Sequence, residues 1–246
     1  MNATALNATA VNAIAPEVTF DLAASSVREL NAALHQASGG SNARLWRVLN
    51  PEGRHAIAAG VDAPISIEIE GNVGYYCAGM NQAASVIIRG NAGQGVAENM
   101  MSGFVHVCGD ASQSAGATAH GGLLVIDGNA SARCGISMKG VDIVVKGSVG
   151  HMSAFMGQSG ALIVFGEAGE ALGDSLYEAR LFVRGGVKSL GADCIEKELR
   201  DEHKALIAAK LEAAGIAPGS VDLSEFKRYG SARKLYNFHV DNADAY

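Results

Sequence analysis

The chain has 246 residues, of which 19 are Lys or Arg and 25 are Asp or Glu, so its net charge is −6. Because it has no basic surplus, this composition excludes a protein that binds nucleic acid mainly through the phosphates. Glycine supplies 31 residues and proline only 4, which excludes collagen and Pro/Gly-rich disordered chains and indicates a folded backbone that turns often.

The N-terminal segment has none of the features of a secretion signal. Its first twenty residues contain neither Lys nor Arg and no apolar core, both of which a signal peptide requires. No stretch of the chain approaches the roughly 18 consecutive apolar residues of a membrane span. We therefore expect a cytoplasmic protein.

A short helix is predicted within the N-terminal extension, which we assign to residues 1–47. Ser26 and Glu29 have the spacing of a capping box, in which each side chain pairs with a backbone N–H of the other residue. Val27, Leu30 and Leu34 follow as apolar residues. The segment is predicted to cap or pack against the next part of the chain, and docking of a partner is the alternative.

The next part of the chain is a glycine repeat with a period of 19 residues and no insertions. Apolar pairs such as Val86 and Ile88 precede each of these glycines, and alternating apolar residues indicate short strands. The position seven residues after each glycine is always Ala or Gly, which indicates coils that pass too closely for a larger side chain. The repeating glycines are Gly71, Gly90, Gly109, Gly128, Gly147, Gly166 and Gly185.

A fixed period with matching columns predicts a solenoid in which each repeat forms one rung. A period of 19 is not a multiple of six, which disfavours the left-handed hexapeptide helix, and the Asp-rich calcium-binding repeat is absent. The predicted fold is therefore an all-β, right-handed parallel β-helix of about seven rungs over residues 48–192, roughly 34 Å long. Short helical extensions are expected at both ends.

A second helix is predicted in the C-terminal segment, residues 193–246, over Asp193–Ala214. Asp193 and Glu196 resemble a capping box, and Gly215 is placed to end the helix. The rest of this segment is predicted to be a docking tail. The apolar residues assigned to one face of the helix are Ile195, Leu199, Leu206 and Leu211.

The titratable residues do not predict an active site. Cys77 and Cys134 occupy the same column three rungs apart, about 14 Å, which is too far for a disulfide. The seven histidines are dispersed along the chain, and no His, Cys or Asp residues are predicted to converge on adjacent rungs. We therefore predict no catalytic, cofactor-binding or metal-binding residues, and structural roles for the thiols.

One side of the solenoid is predicted to carry bulky residues, between each glycine corner and the next strand. Methionine-rich surfaces adapt to partners, so this side is a candidate partner interface. Lateral packing of the terminal segments and a small-ligand site remain alternatives. The candidate interface residues are Tyr75, Tyr76, Met80, Asn81, Asn99, Met100, Met101, His120, His151 and Met152.

The repeat over residues 48–192 resembles the GXGXG β-helix domain of the glutamate synthase large subunit. It is also similar to the β-helix subunit of formylmethanofuran dehydrogenase and of the related formyltransferase/hydrolase complex. Further tracts resemble the free-standing β-helix subunit of N-methylglutamate synthase complexes. These tracts are Asn50–His55, Tyr75–Asn81, Gly95–Gly103, Arg133–Gly140 and Arg228–Tyr236.

The resemblance implies a non-catalytic scaffold subunit that docks an amidotransferase-like subunit and an FMN-containing glutamate-synthase-like subunit. FMN and an iron–sulfur cluster are then expected on the partner and no cofactor on this chain. Asn2 stands where the family's amidotransferase has its nucleophilic Cys. The complex would convert methylamine and glutamate to N-methylglutamate and ammonia, as a methylamine–glutamate N-methyltransferase.

Two other functions remain open. The first is the same scaffold role in a formyl-transferring complex. The second is a stand-alone β-helix enzyme acting on a carbohydrate or acyl substrate, which would need a cleft with convergent Asp, Arg or His on consecutive rungs.

Overall fold

The computed structural model describes residues 17–37 and 45–233, whose strands form one sheet with the order β1-β2-β3-β4-β5-β6-β7-β8-β9-β11-β10. The strands are β1 (Glu17–Asp21), β2 (Leu45–Leu49), β3 (Ser66–Ile69), β4 (Ser85–Ile88), β5 (Phe104–Val107), β6 (Leu123–Ile126), β7 (Lys139–Val145), β8 (Ser159–Val164), β9 (Arg180–Val183), β10 (Cys194–Lys197) and β11 (Lys227–Ser231). The helices are α1 (Val27–Gln36) and α2 (Asp201–Ala213), and a short 3-10 turn spans Leu223–Glu225.

The strands of successive repeats stack in parallel and in register. Ile67 pairs with Val86, and Val86 pairs with Val105, so one step of 19 residues moves the chain up one rung. A second line of parallel bridges, beginning at Val73 and Ala92, joins the rungs after the glycine corner. This confirms the predicted class, an all-β right-handed parallel β-helix of about seven turns, the hand that parallel crossovers almost always take.

The interior is filled by the apolar columns that the sequence predicted. Val86 and Ile88 are fully buried, and so are their equivalents Val105 and Val107. At the corner after each strand, polar side chains link successive rungs. The Asn72 Oδ1 atom accepts from the Asn91 backbone N–H at 2.8 Å, and the Asn91 Oδ1 atom accepts from that of Asp110 at 2.8 Å. This ladder satisfies backbone donors that the corner leaves outside the sheet.

The segment between the corner and the next strand, here called the turn segment, alternates right- and left-handed backbone. In one rung Tyr76, Ala78 and Met80 have φ of 60°, 53° and 57°. In the next rung Gly95, Ala97 and Asn99 repeat this pattern with φ of 71°, 56° and 55°. The Ala/Gly column is the middle position, which is both buried and left-handed in the six rungs from Ala78 to Gly173; its last member, Ala192, is exposed and has no left-handed φ. The restriction of this column to Ala and Gly therefore has two causes: the close approach of successive rungs, which the sequence predicted, and the left-handed backbone conformation.

The N-terminal helix is confirmed as predicted. The Ser26 side chain accepts from the backbone N–H of Glu29, and the Glu29 carboxylate accepts from that of Ser26 at 2.8 Å, which completes the capping box. Leu30 and Leu34 are fully buried in the same core cluster as the first rungs. Asn31 fixes the helix to the solenoid through hydrogen bonds to the backbone of Ala56 and Ala58.

The predicted start of the C-terminal helix is wrong. Residues 194–197 form β10, which pairs antiparallel with β11, and the helix begins only at Asp201. Asp193 pairs with Arg233 rather than capping a helix, and Ile195 is exposed on the strand. A helix does not start at Asp193 because β11, which is distant in sequence, provides backbone partners for residues 194–197.

The predicted end of this helix is confirmed. Gly215 has φ of 78° and donates its N–H to the Glu212 carbonyl, while Ile216 donates to that of Leu211, the hydrogen bonds of a Schellman motif. Ile207 and Leu211 pack over outward residues of the last rungs, among them Val144 and Phe182. No helix within the described ranges is long and apolar enough to cross a bilayer.

Candidate interaction surface

The turn segments of the six repeats that begin at Gly71 and end with the repeat of Gly166 form one side of the solenoid, here called the turn face. Its first two rungs carry four large side chains that are between 44% and 54% exposed. These four residues, here called the first patch, are Tyr75, Tyr76, Met80 and Met101. All four were predicted interface residues.

The first patch is held by contacts to its neighbours. The Tyr75 ring stacks on His55 with centroids 4.5 Å apart, and the Tyr75 N–H donates to the His55 Nδ1 atom at 2.9 Å. The Tyr76 ring lies over Gly95, where an added Cβ would come within 2.7 Å of the ring. The Met80 N–H donates to the Glu98 carbonyl at 2.7 Å. The patch therefore stands on a backbone fixed by adjacent rungs.

A second group of large side chains lies further along the turn face. Met156 and Tyr177 are exposed. His151 is exposed and the adjacent Met152 is half-buried. The Met152 and Met156 N–H groups donate to carbonyls of the next rung at 2.8 Å. We call His151, Met152, Met156 and Tyr177 the second patch. His151 and Met152 were predicted from the sequence, whereas Met156 and Tyr177 were not among the candidates.

Apart from the half-buried Ile136, the two rungs between the patches present small or polar side chains. Gln113 and Arg133 are exposed, and Thr118 and Ser137 are half-buried. Three rung steps separate the start of the second patch from the rung of Met101, about 14 Å along the axis. The turn face therefore offers two separate apolar areas rather than one continuous stripe.

Two predicted interface residues do not reach the surface. Asn81 and Met100 are fully buried because both belong to the column ten residues after the repeat glycine, which points inward. The Asn81 amide instead donates to the carbonyls of Ala84 and Ser102 at 2.8 and 3.1 Å. Both residues are removed from the candidate surface, and Met101 marks the exposed neighbouring column.

The remaining two candidates lie outside the patches: Asn99 is in the same rung as Met101, and His120 is in the next rung. Asn99 is half-buried and accepts from the Thr118 hydroxyl at 2.6 Å, one rung away. His120 is exposed in the same column as Met101. Both keep positions on the turn face, but they belong to its polar part.

The four cysteines are free, and three of them lie in the interior. Burial raises the pKa of Cys77 and of Cys134 to about 12, and that of Cys194 to about 11. A thiol with so high a pKa is a poor nucleophile at neutral pH. The prediction of structural thiols therefore fits these three residues, and Cys108 alone is partly exposed.

The expectation that no titratable side chains converge on adjacent rungs is wrong. His106, Cys108 and Asp127 place one ligand atom each within 4.8 Å of one another on the outer face of the sheet. Residues two apart on a strand share a face, and Asp127 lies 19 residues after Cys108, directly above it. This spacing was present in the sequence and would have found the cluster had outward columns been compared across rungs.

Comparison with known proteins identifies a close relative. No protein-family model and no solved structure matches the chain. It is 65% identical over 227 residues to protein GlxC of Rhizobium meliloti (strain 1021), an alignment that covers 92% of this chain and 99% of that protein. Identity at this level over nearly the full length of both proteins leaves the family in no doubt: the chain belongs to the GlxC family.

Proposed function

We propose that this chain is the non-catalytic docking subunit of a cytoplasmic glutamate-synthase-like complex, most specifically of N-methylglutamate synthase. In this proposal the solenoid holds an amidotransferase-like subunit and an FMN- and iron–sulfur-containing synthase subunit. Together they would exchange methylamine with glutamate to give N-methylglutamate and ammonia. The repeat and the matching tracts named above support the assignment to this class of complex.

The observation that carries the docking role is the pair of apolar patches on the turn face. Tyrosine and methionine are enriched in protein interfaces because they bury a large contact area, and methionine adapts its shape to a partner. Exposed groups of such residues on a folded chain mark interaction sites. Each patch suits the apolar centre of one protein interface.

A fixed distance between the patches would let the solenoid act as a spacer between two docked subunits. Every turn segment donates and accepts backbone hydrogen bonds to the rungs above and below, so the distance between the patches is fixed by rung spacing. Two subunits bound at the two patches would be held at a constant separation. In an enzyme that passes an intermediate between two active sites, such a spacer would keep the two sites in line.

The test is purification of the tagged full chain from its native host, followed by mass spectrometry and an absorbance spectrum. We expect two stoichiometric partner chains, one amidotransferase-like and one with a flavin spectrum, and turnover of glutamate that depends on methylamine. Formyltransferase/hydrolase partners would instead favour the formyl-transferring complex. Recovery of the chain alone and colourless would refute the proposal.

Single charged substitutions separate the roles of the patches. Met101→Asp in the first patch and Met156→Asp in the second should each reduce recovery of one partner chain by at least tenfold, because an unpaired carboxylate is costly in a desolvated contact. Gln113→Asp, on the polar part of the same face, is the matched control and should retain both partners. Unchanged recovery with both methionine variants, with the solenoid still folded, would rule out these patches as the docking sites.

A further inference from the structure

A second feature of the molecule lies on the outer face of the sheet. The cluster of His106, Cys108 and Asp127, here called the outer-face cluster, spans two adjacent rungs. The His106 Nε2 atom lies 2.9 Å from the Asp127 Oδ2 atom, and the Cys108 Sγ atom completes a set of three donors within 4.8 Å of one another.

The three donors are a nitrogen, a sulfur and an oxygen, which is the ligand chemistry of zinc and related divalent transition metals. Zinc binds His, Cys and Asp side chains at about 2.0 to 2.3 Å, and a site with three protein ligands leaves its fourth position for water. The donor spacing leaves room for such an ion with small side-chain adjustments. We propose that the outer-face cluster is a binding site for a zinc-like divalent transition-metal ion.

Two cations flank the ligand atoms, Lys146 at the Asp127 carboxylate and Arg89 at the Cys108 sulfur, and an ion must displace the Arg89 contact to reach that sulfur. The Lys146 ammonium lies 2.7 Å from the Asp127 Oδ1 atom, so the Oδ2 atom, on the side of His106, is the one available to the metal. Carboxylate ligands commonly have such an outer hydrogen-bonding partner. Arg89 lies beside the Cys108 sulfur and forms an ion pair with Glu68 at 3.1 Å.

The outer-face cluster is partly exposed to solvent, whereas the other three cysteines are buried. The His106 and Asp127 side chains are 22% and 29% exposed, but the His106 Nε2 atom itself is buried, so the imidazole must turn outward for this nitrogen to reach an ion that arrives from water. Cys108 is partly exposed, whereas Cys77, Cys134 and Cys194 are buried. A metal ion added to the folded chain therefore meets one partly exposed thiol, that of Cys108.

Binding is a ligand exchange without oxidation or reduction. The ion loses water molecules, the Cys108 thiol releases its proton to solvent, and the His106–Asp127 contact is replaced by two metal–ligand bonds. A bound Co²⁺ ion would then have a thiolate ligand. Its thiolate-to-metal charge-transfer absorption reports that bond directly, independently of any activity of the protein.

The experiment is titration of the purified full chain, under reducing conditions, with Zn²⁺ by calorimetry and with Co²⁺ by absorbance. We expect one equivalent of metal and a charge-transfer band. Cys108→Ser should abolish the band, and His106→Gln and Asp127→Asn should each weaken Zn²⁺ binding by more than tenfold. Loss of an outer-shell partner already costs about 10- to 100-fold, so loss of a direct ligand should cost no less.

The matched control is His120→Gln, which removes an exposed histidine of the turn face and should leave metal binding unchanged. Circular dichroism of each variant confirms that the solenoid is folded, and the three ligand variants serve as replicates if one of them does not fold. The proposal is overturned if the wild-type chain binds no metal. It is equally overturned if folded Cys108→Ser, His106→Gln or Asp127→Asn binds one equivalent as tightly as the wild type.

Discussion

Gly74 and Gly93 stand one above the other in adjacent rungs, so close that a Cβ atom on Gly93 would lie 2.6 Å from the carbonyl carbon of Gly74. The Gly93 N–H donates to the Val73 carbonyl at 2.9 Å, which holds the two rungs at this distance. The obstacle is backbone rather than a flexible side chain. Close stacking at the corner therefore depends on the absence of a side chain.

This contact predicts that Gly93→Ala destabilises the solenoid. The methyl group can be accommodated only by moving a rung, and overpacking of this kind costs about 1–3 kcal/mol. Gly186→Ala is the control, because a Cβ at Gly186 meets no atom within 4 Å and should change stability by less than about 0.5 kcal/mol. Urea unfolding of the two variants checks the prediction, and equal midpoints would contradict it.

The buried amide of Asn81 is predicted to stabilise the fold. It donates to Ala84 and Ser102, and its Oδ1 atom accepts from the Ala84 N–H at 3.3 Å. The Ala84 carbonyl also accepts from the Phe104 N–H, so Asn81→Ala leaves the Ala84 N–H and the Ser102 carbonyl without this partner and should cost about 2–4 kcal/mol. The comparison is Asn99→Ala, which loses one hydrogen bond at a half-buried site where the φ of 55° also favours Asn over Ala, and should cost about 1–2 kcal/mol. Thermal unfolding distinguishes them, and a smaller loss for Asn81→Ala would disprove this role.

His203 predicts a specific loss of stability in weak acid. Burial, aided by the positive charges of Arg228, Arg200 and Arg180, lowers the pKa of His203 to about 4. The Arg200 N–H donates to its Nδ1 atom at 3.0 Å, a hydrogen bond that protonation of this nitrogen would break.

The direction of this change in stability with pH follows from where the proton is bound. Between pH 6.5 and 4 the unfolded chain binds a proton at this histidine that the folded chain does not, so stability falls as the pH falls through this range. The expected loss from pH 7.5 to pH 5 is about 1–2 kcal/mol. His203→Gln cannot take up this proton and should show a smaller loss. Urea unfolding at the two pH values tests this, and identical losses for both proteins would refute it.

The capping box of α1 predicts a modest effect. Ser26→Ala removes the side-chain partners of Glu29 and should cost about 1 kcal/mol of unfolding free energy. Ser25→Ala is the neighbouring control, because the contact of Ser25 with Arg54 uses its backbone carbonyl, which the substitution keeps. Denaturant unfolding should separate the two variants, and an equal stability of both would show that the cap contributes nothing.

The turn face illustrates how far periodicity predicts a site. Tyr75, Tyr76, Met80 and Met101 were correctly placed at the surface because the repeat identifies the turn segment. Met100 was also predicted to lie at the surface, but it is buried. In a backbone that alternates between right- and left-handed conformations, neither the strand period nor the helix period predicts which side chains point inward. The structure alone separates Met100 from Met101.

The sequence by itself determined the rung period, the inward columns such as Val86 and Ile88, and the capped helix that begins after Ser26. These features depend on residues close in sequence or on an interval repeated without insertion. The tertiary structure decided that residues 194–197 pair with β11 instead of opening a helix, and that Met100 is buried while Met101 is exposed. The pairing joins segments more than 30 residues apart, and the direction of the two methionines depends on a backbone that alternates between right- and left-handed conformations. Neither feature follows from residues close in sequence, so only the folded arrangement decides it.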